Sequence, residues 1–221
     1  MTYDPNFYDI INSGSIRSAR TVVPVLADLI DPKSVLDLGC GEGAWLSVFA
    51  EHGFSVHGVD GAYVNQERLL IERDHFIPFD LSTGAEIDLN HRFGLAISLE
   101  VAEHLPASRA GWFVDHLCLH SDVVLFSAAI PGQGGVGHVH ERWQDYWVSL
   151  FEARGYRCSS AFKLQFWDQA PDEIENWYAQ NMMLCVAESR YEKDRSFDQW
   201  FDHPCCALHR TVHPVLWESR L

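Results

Sequence analysis

The stretch SVLDLGCGEG, residues 34–43, constrains the fold of this chain more than any other segment. SVLDL is a short apolar run of the kind a buried parallel strand presents. Gly39, Gly41 and Gly43 follow it at alternate positions. Only glycine lets a backbone turn that sharply and lets a ligand approach without a Cβ in the way. AWLSVFAEHG then has helical spacing with Gly53 as its C-cap, and the helix start turns free N–H groups and a positive end toward whatever sits on the glycines.

The rest of the chain repeats strand–helix alternation. Ser15 to Ile30 predicts a helix, stopped at Asp31-Pro32; SVHGVD predicts a second strand and NQERLLIER a second helix. HFIPFDL, FGLAISL and DVVLFSAAI read as strands, with a helix from about Ala107 to Leu119 between the last two. A helix from Trp143 to Ala153 and strands near Tyr156–Phe162 and Met182–Ala187 complete the pattern. The expected architecture is α/β: a Rossmann-like, seven-stranded, mostly parallel sheet with helices on both faces and one antiparallel strand near the C-terminus. Residues 1–31 are expected to form a helical cap or lid, 32–189 the core, and 190–221 a tail packed on the core or on a partner subunit, as in a homodimer.

Bulk properties narrow the function. Acidic residues outnumber basic ones 31 to 16, for a net charge of −15, and no cluster of Lys and Arg offsets this. Such a surface repels phosphate backbones, which disfavours nucleic acid and favours a small-molecule acceptor. The N-terminus lacks the basic start and apolar core of a signal peptide, and no apolar run is long enough for a membrane helix. The six cysteines show no CxxC spacing, and most sit in apolar runs. The expectation is a soluble cytoplasmic protein, without membrane association, whose thiols are free and buried.

Two acids follow the glycine loop. Asp60 ends the second strand, where a carboxylate can take both ribose hydroxyls, and Asp80 ends the FDL strand, where it could accept from an adenine amine. The residues after Gly43 are Ala44 and Trp45, which departs from the dinucleotide fingerprint, and no Lys-Ser/Thr marks a P-loop. At this point the chain resembles the class I S-adenosylmethionine-dependent methyltransferases over about residues 32–189. VLDLGCGEG resembles their first motif, HGVDG the second, FDL the third and ISLEVAEHLP the fourth. The resemblance implies S-adenosylmethionine as cofactor. It implies a pocket of Asp37 (near the methionine amino group), Gly39, Cys40, Gly41, Gly43, Asp60, Gly61, Asp80, Leu81 and Leu99.

SLEVAEHLP raises a second possibility. On a helical turn, Glu100, Glu103 and His104 would share a face, and two carboxylates with an imidazole suit a divalent cation such as Mg²⁺. ExxEH resembles the metal motif of ubiquinone-pathway O-methyltransferases and of small-RNA 2′-O-methyltransferases. In the small-RNA enzymes a histidine in a loop after the fifth strand completes the site. Here that loop, PGQGGVGHVHERW, offers His138 and His140, and its VHERW portion favours His140 in a metal set of Glu100, Glu103, His104 and His140. The alternatives stay open: metal-free catalysis by His104 or His138 with Glu100 assisting, or local capping and pairing.

Trp143, Tyr146, Trp147, Phe166, Trp167, Trp177 and Tyr178 surround the expected site. They suit an aromatic wall for a flat or sugar-like acceptor, or ordinary core packing, which Trp147's spacing favours. Gln180 and Asn181, opening an apolar strand, could reach a ligand or satisfy backbone groups. Phe7, Tyr8 and Ile16 are lid candidates. The reading is an O-methyltransferase of a small hydroxylated acceptor, a sugar or natural-product metabolite, with metal assistance weighed beside it. N- or nucleic-acid methylation and a silent cofactor-binding subunit are the competing functions.

Overall fold

Alternate residues along each central strand face opposite ways, and each set finds its own helices. In the computed structural model, β1 (Ser34–Leu38), β2 (Ser55–Asp60), β3 (Phe76–Pro78), β4 (Leu95–Leu99), β5 (Val123–Ser127), β6 (Tyr156–Ser159) and β7 (Met183–Ala187) form one sheet in the order β3-β2-β1-β4-β5-β7-β6. β7 runs antiparallel to both neighbours and the other pairings are parallel. The structure describes residues 5–87 and 89–219, with side chains from Asn12 onward.

Val35, Leu95, Ile97, Leu99, Leu125 and Leu184 pack on one face against α1 (Pro5–Ile30) and α2 (Ala44–Glu51). Leu36, Leu38, Ala96, Val124 and Phe126 pack on the other against α3 (Ala110–His120) and α4 (Gln144–Glu152). This is the expected doubly covered sheet, with period-two alternation setting which residue meets which layer. Two shorter helices, α5 (Ala161–Leu164) and α6 (Asn176–Asn181), join the first face. Among the described residues no helix is long and apolar enough to cross a membrane.

Three expectations are corrected. NQERLLIER forms turns, not a helix. Asn65 opens an Asx turn by accepting from the Glu67 N–H. Leu70 N–H then bonds the Glu42 carbonyl (2.8 Å) and Arg68 bonds the Glu42 carboxylate (2.7 Å). These long-range bonds draw the segment across the glycine loop and override its helical spacing. Gln180 and Asn181 close α6 and precede β7 instead of opening the strand. Cys158 and Cys185 are not free: they are register partners across β6 and β7, their Cα atoms 4.1 Å apart, and they form a disulfide. A cross-strand pair places both side chains on one face of the sheet, a relation that sequence spacing does not reveal.

The tail packs on its own chain. Trp200 meets Phe162 edge to face at 5.3 Å and Phe201 meets Tyr191, whereas Trp217 is exposed. Polar pins fix the last turns: Ser160 N–H to the Cys206 carbonyl, Ser160 Oγ to His209 Nδ1, and Lys163 Nζ to Thr211 Oγ1 and to the Gln180 carbonyl.

Lys163 is fully buried, and desolvation pulls its pKa down to about 7. Between that value and the ordinary lysine pKa of about 10.4, the unfolded chain holds a proton that the folded chain has released, so stability rises with pH. Thermal melts from pH 7.5 to 8.5 are therefore expected to give the wild type roughly 1 kcal/mol that Lys163→Met does not gain, roughly 2–4 °C in Tm. Equal slopes would contradict the assignment. Gly94 precedes β4, and a Cβ there would lie 1.7 Å from the Pro32 carbonyl oxygen, a backbone atom that cannot step aside. Gly94→Ala is expected to cost about 2–3 kcal/mol, read as a Tm lower by roughly 5–10 °C.

Candidate functional site

The carboxyl ends of β1, β2 and β4 meet in the middle of the sheet, and the predicted motifs gather there. Gly39 and Gly43 have φ of +94° and +88°, left-handed values that L residues with side chains rarely adopt. Gly39 is also tight against β4's exit, since a Cβ on it would strike the Val101 methyls at 2.5 Å. Cys40 is buried beside it, and burial pushes its thiol pKa up.

Asp60 is buried and ties the loops together: Oδ2 accepts from Gly41 N–H (2.7 Å), and Oδ1 from Gly61 N–H (2.6 Å) and from the Tyr63 hydroxyl (2.6 Å). Tyr63 is an exposed side chain, and its hydroxyl is the partner a ribose hydroxyl can replace without disturbing the backbone. Asp37 is buried too, and desolvation followed by the charge of Asp60 raises its pKa well above the carboxylate range. A cationic amino group is the partner such an acid calls for. Leu81 and Leu99 are buried at the strand ends. Asp80 is exposed, two residues past β3, and its Oδ1 accepts from Ser82 N–H and Oγ, which lowers its pKa.

Past β4 the chain turns sharply. Glu100 takes φ +58° and a 3₁₀ turn over Ala102–His104 follows, so the three residues do not share the helical face that the spacing predicts. The Glu100 carboxylate instead accepts from Asn181 Nδ2 (3.0 and 3.2 Å) and Gln133 Nε2 (2.8 Å). Glu103 is fully buried with no well-formed hydrogen bond to either oxygen; only the nearby Glu103 and Ala129 N–H groups favour its charge. Burial, then the neighbouring Glu100, raises its pKa well above the usual range.

The glycine-rich loop supplies the rest. Val139 and His140 N–H both bond the Glu103 carbonyl, at 2.9 and 3.0 Å, which fastens the loop beside the acid. His138 Nδ1 meets Glu141 Oε1 at 3.0 Å, and its Nε2 faces Glu103 Oε1 at 4.0 Å. Glu141 is itself held by Gly132 and Gly134 N–H. The His104 and His138 rings stand edge to face, 4.8 Å between centroids, and His104 Nδ1 is buried without a partner. One donor atom each from Glu103, His104 and His138 falls within 4.8 Å of the others. Neither Glu100 nor His140 is among these converging donors. The His140 ring is buried against Tyr146 and Trp147, at 5.5 Å from each.

Glu141 stands out as a functional residue missed at the sequence level, although its position three residues after His138 in HVHE was the available signal. Gln133 joined the site through contacts that no spacing announces. Of the aromatic residues, Trp147, Phe166 and Tyr178 are core side chains and do not wall the site. Ile16 packs on the core, while the Phe7 and Tyr8 side chains lie outside the described residues. Separate from the acids, a cleft of about 850 Å³ lies between α1 and the 66–71 turn, and its arginines, Arg17, Arg20 and Arg68, each face a carboxylate.

Comparison with known proteins agrees with this geometry. A family model described as a methyltransferase domain matches residues 14–170. Ubiquinone biosynthesis O-methyltransferase of Nitrobacter winogradskyi is 25% identical over 174 residues, covering 75% of this chain and 62% of that protein. The Bradyrhizobium diazoefficiens enzyme of the same name is 35% identical over 177 residues, covering 75% and 64%. The chain thus spans a little over three-fifths of the length of these relatives. Among solved structures, Streptomyces venezuelae DesVI superposes with a TM-score of 0.60 at 16% identity, over 84% of this chain and all of that one. The methyltransferase domain of the bacterial CtHen1-C superposes at 0.55 with 24% identity, over 76% and 96%. At these identities the structures establish the fold. With the family match covering most of the chain, and with the glycine loop and its acids in place, the chain belongs to the methyltransferase-domain family and is an S-adenosylmethionine-dependent methyltransferase domain.

Proposed function

We propose that the protein transfers the methyl group of S-adenosylmethionine to a hydroxyl of a small acceptor, and that Glu103, His104 and His138 activate this hydroxyl with a divalent cation. The observation that carries the reading is the convergence of these three donors beside a buried carboxylate that no well-formed hydrogen bond satisfies. Burial holds that acid toward its neutral form, and a positive partner is what would let it ionise there. The donor set fits a borderline or hard cation taking oxygen and imidazole nitrogen. His138 has the support expected of a ligand, since the Glu141 carboxylate fixes its tautomer and leaves Nε2 free to point inward. Such a cation, when bound, lowers the pKa of a hydroxyl it contacts.

The chain's own residues do the remaining work. Asp60 and the glycine loop place the cofactor, and Asp37 answers the charge of its amino group. The acceptor hydroxyl releases its proton to solvent water, its oxygen attacks the sulfonium methyl in line, the new C–O bond forms as the C–S bond breaks, and S-adenosylhomocysteine leaves. Catalysis of this type is chiefly orientation of two bound partners. The net charge of −15 and the similarity to O-methyltransferases of a small-molecule pathway support a small acceptor over a polyanion.

A second reading has one observation in its favour. The Glu141–His138 pair has the form of a carboxylate-backed general base, which could take the hydroxyl proton with no metal present.

Calorimetric titration of Mn²⁺ into protein saturated with S-adenosylhomocysteine separates the two. The metal reading predicts binding that His104→Ala and His138→Ala abolish and His140→Ala keeps. Absence of binding with cofactor affinity intact would leave His138 as the base. Methyl transfer from tritiated S-adenosylmethionine to a panel of sugars and phenols tests the role of the loop. His138→Ala is expected to lower turnover about a hundredfold or more and Glu141→Gln about tenfold. Unchanged turnover in both would remove the loop from the chemistry.

A further inference from the structure

A chain of side-chain amides runs from the C-terminal tail to the Glu100 carboxylate, and backbone N–H groups set its direction at two points. The His213 N–H donates to Gln180 Oε1 at 2.8 Å. A backbone N–H can only donate, so the oxygen of the Gln180 amide must face it and the nitrogen must face away. That nitrogen donates to Asn181 Oδ1 (3.0 Å) and Gln133 Oε1 (3.2 Å). Their oxygens thus engaged, Asn181 and Gln133 present their nitrogens to Glu100, with bonds of 3.0, 3.2 and 2.8 Å. Asn181 Nδ2 also donates to Gln133 Oε1 at 2.8 Å, closing the network on itself. Asn and Gln amides are nearly symmetric in shape, so packing alone does not choose between their two flips. The His213 N–H and the Glu100 carboxylate do, together with the Ile130 N–H on Gln133 Oε1 (3.3 Å) and Gln144 Nε2 on Asn181 Oδ1 (3.4 Å).

We propose that the C-terminal tail is a positioning element of the methyl-transfer centre: through the His213 N–H it orients Gln180, whose amide joins the Ile130 N–H and Gln144 in orienting Gln133 and Asn181, and these hold the Glu100 carboxylate in place. This rests on reading the Glu100–His104 turn as that centre. Gln180 and Asn181 are fully buried, and Glu100 sits in a left-handed backbone conformation that its side-chain bonds help to hold. The tail end is equally committed: His213 is buried, with Nε2 on the Trp167 carbonyl and Nδ1 accepting from Val215 N–H. Gln180, Asn181 and His213 lie beyond residues 14–170, the part that matches the family model, whereas Glu100 and Gln133 lie within it.

The test uses the full chain with ¹⁵N-labelled Asn and Gln side chains, and reads hydrogen exchange of the Gln133 and Asn181 amides by NMR. His213 has φ −71°, which proline adopts, so His213→Pro deletes the N–H without forcing the backbone. His213→Ala keeps the N–H and loses the ring contacts. The expected result is slow exchange in the wild type and in His213→Ala, and exchange about tenfold faster or more in His213→Pro. Should His213→Pro fail to fold, Gln180→Leu cuts the same chain without touching the tail backbone. Fast exchange in the wild type, or equal exchange in all the variants, would overturn the proposal.

Turnover with any acceptor from the panel supplies the second readout. Asn181→Ala and the His213→Pro or Gln180→Leu variant are expected to lower kcat about tenfold with the KM for S-adenosylmethionine unchanged. Loss of turnover in His104→Ala and His138→Ala, with normal kcat in Asn181→Ala, would overturn this inference alone. Normal turnover in the histidine variants would instead remove the centre on which it rests.

Discussion

Glu103 lies fully buried without a well-formed hydrogen bond to either carboxylate oxygen, next to a second, half-buried acid, Glu100. Leaving a carboxylate in that condition costs several kcal/mol unless something neutralises or pairs it. The local architecture follows from that demand. The Glu103 carbonyl takes two N–H groups of the glycine-rich loop, which brings His138 within 4.0 Å of the carboxylate. The acid's backbone thus recruits the imidazole that its side chain needs. Glycines at 132, 134, 135 and 137 let this loop turn repeatedly, and Glu141 binds two of their N–H groups while it orients the His138 ring.

Around this centre the sheet divides the work by strand. β1 and β2 deliver the side proposed for the cofactor, with Asp37 and Asp60 at adjacent strand ends and the glycine loop between them. β4 and the loop after β5 deliver the acids and the histidines. β7 runs antiparallel, so its N-terminal end lies at the same edge of the sheet where the parallel strands finish, and this brings Asn181 to Glu100. A carboxylate held by three hydrogen bonds from two amides on separate segments is confined to one position, which is what an in-line transfer asks of its surroundings.

The fold was legible because burial in a doubly covered sheet writes itself as apolar runs. β1 and β2 coincide with SVLDL and SVHGVD, and the mixed order with one antiparallel strand follows the expected class. The cofactor motifs were legible for a related reason, since left-handed turns force glycines at fixed offsets. What failed was decided by contacts distant in sequence. The 65–73 segment has helical spacing, yet bonds to Glu42 pull it into turns. Glu100 leaves the expected helical face because its backbone is left-handed. The choice between His138 and His140 depends on which side of an extended loop faces the acid, and alternation along two residues cannot say which. The disulfide depended on a strand register, and Gln133's role on a network that joins Glu100, Gln133 and His213.

Anomalous diffraction from crystals grown with S-adenosylhomocysteine and Mn²⁺ tests the central claim most directly. The account predicts a manganese peak bounded by the Glu103 carboxylate and the His104 and His138 imidazoles, beside the sulfur of the bound product. A peak on His140, or no peak at this turn while the product is clearly bound, would contradict it.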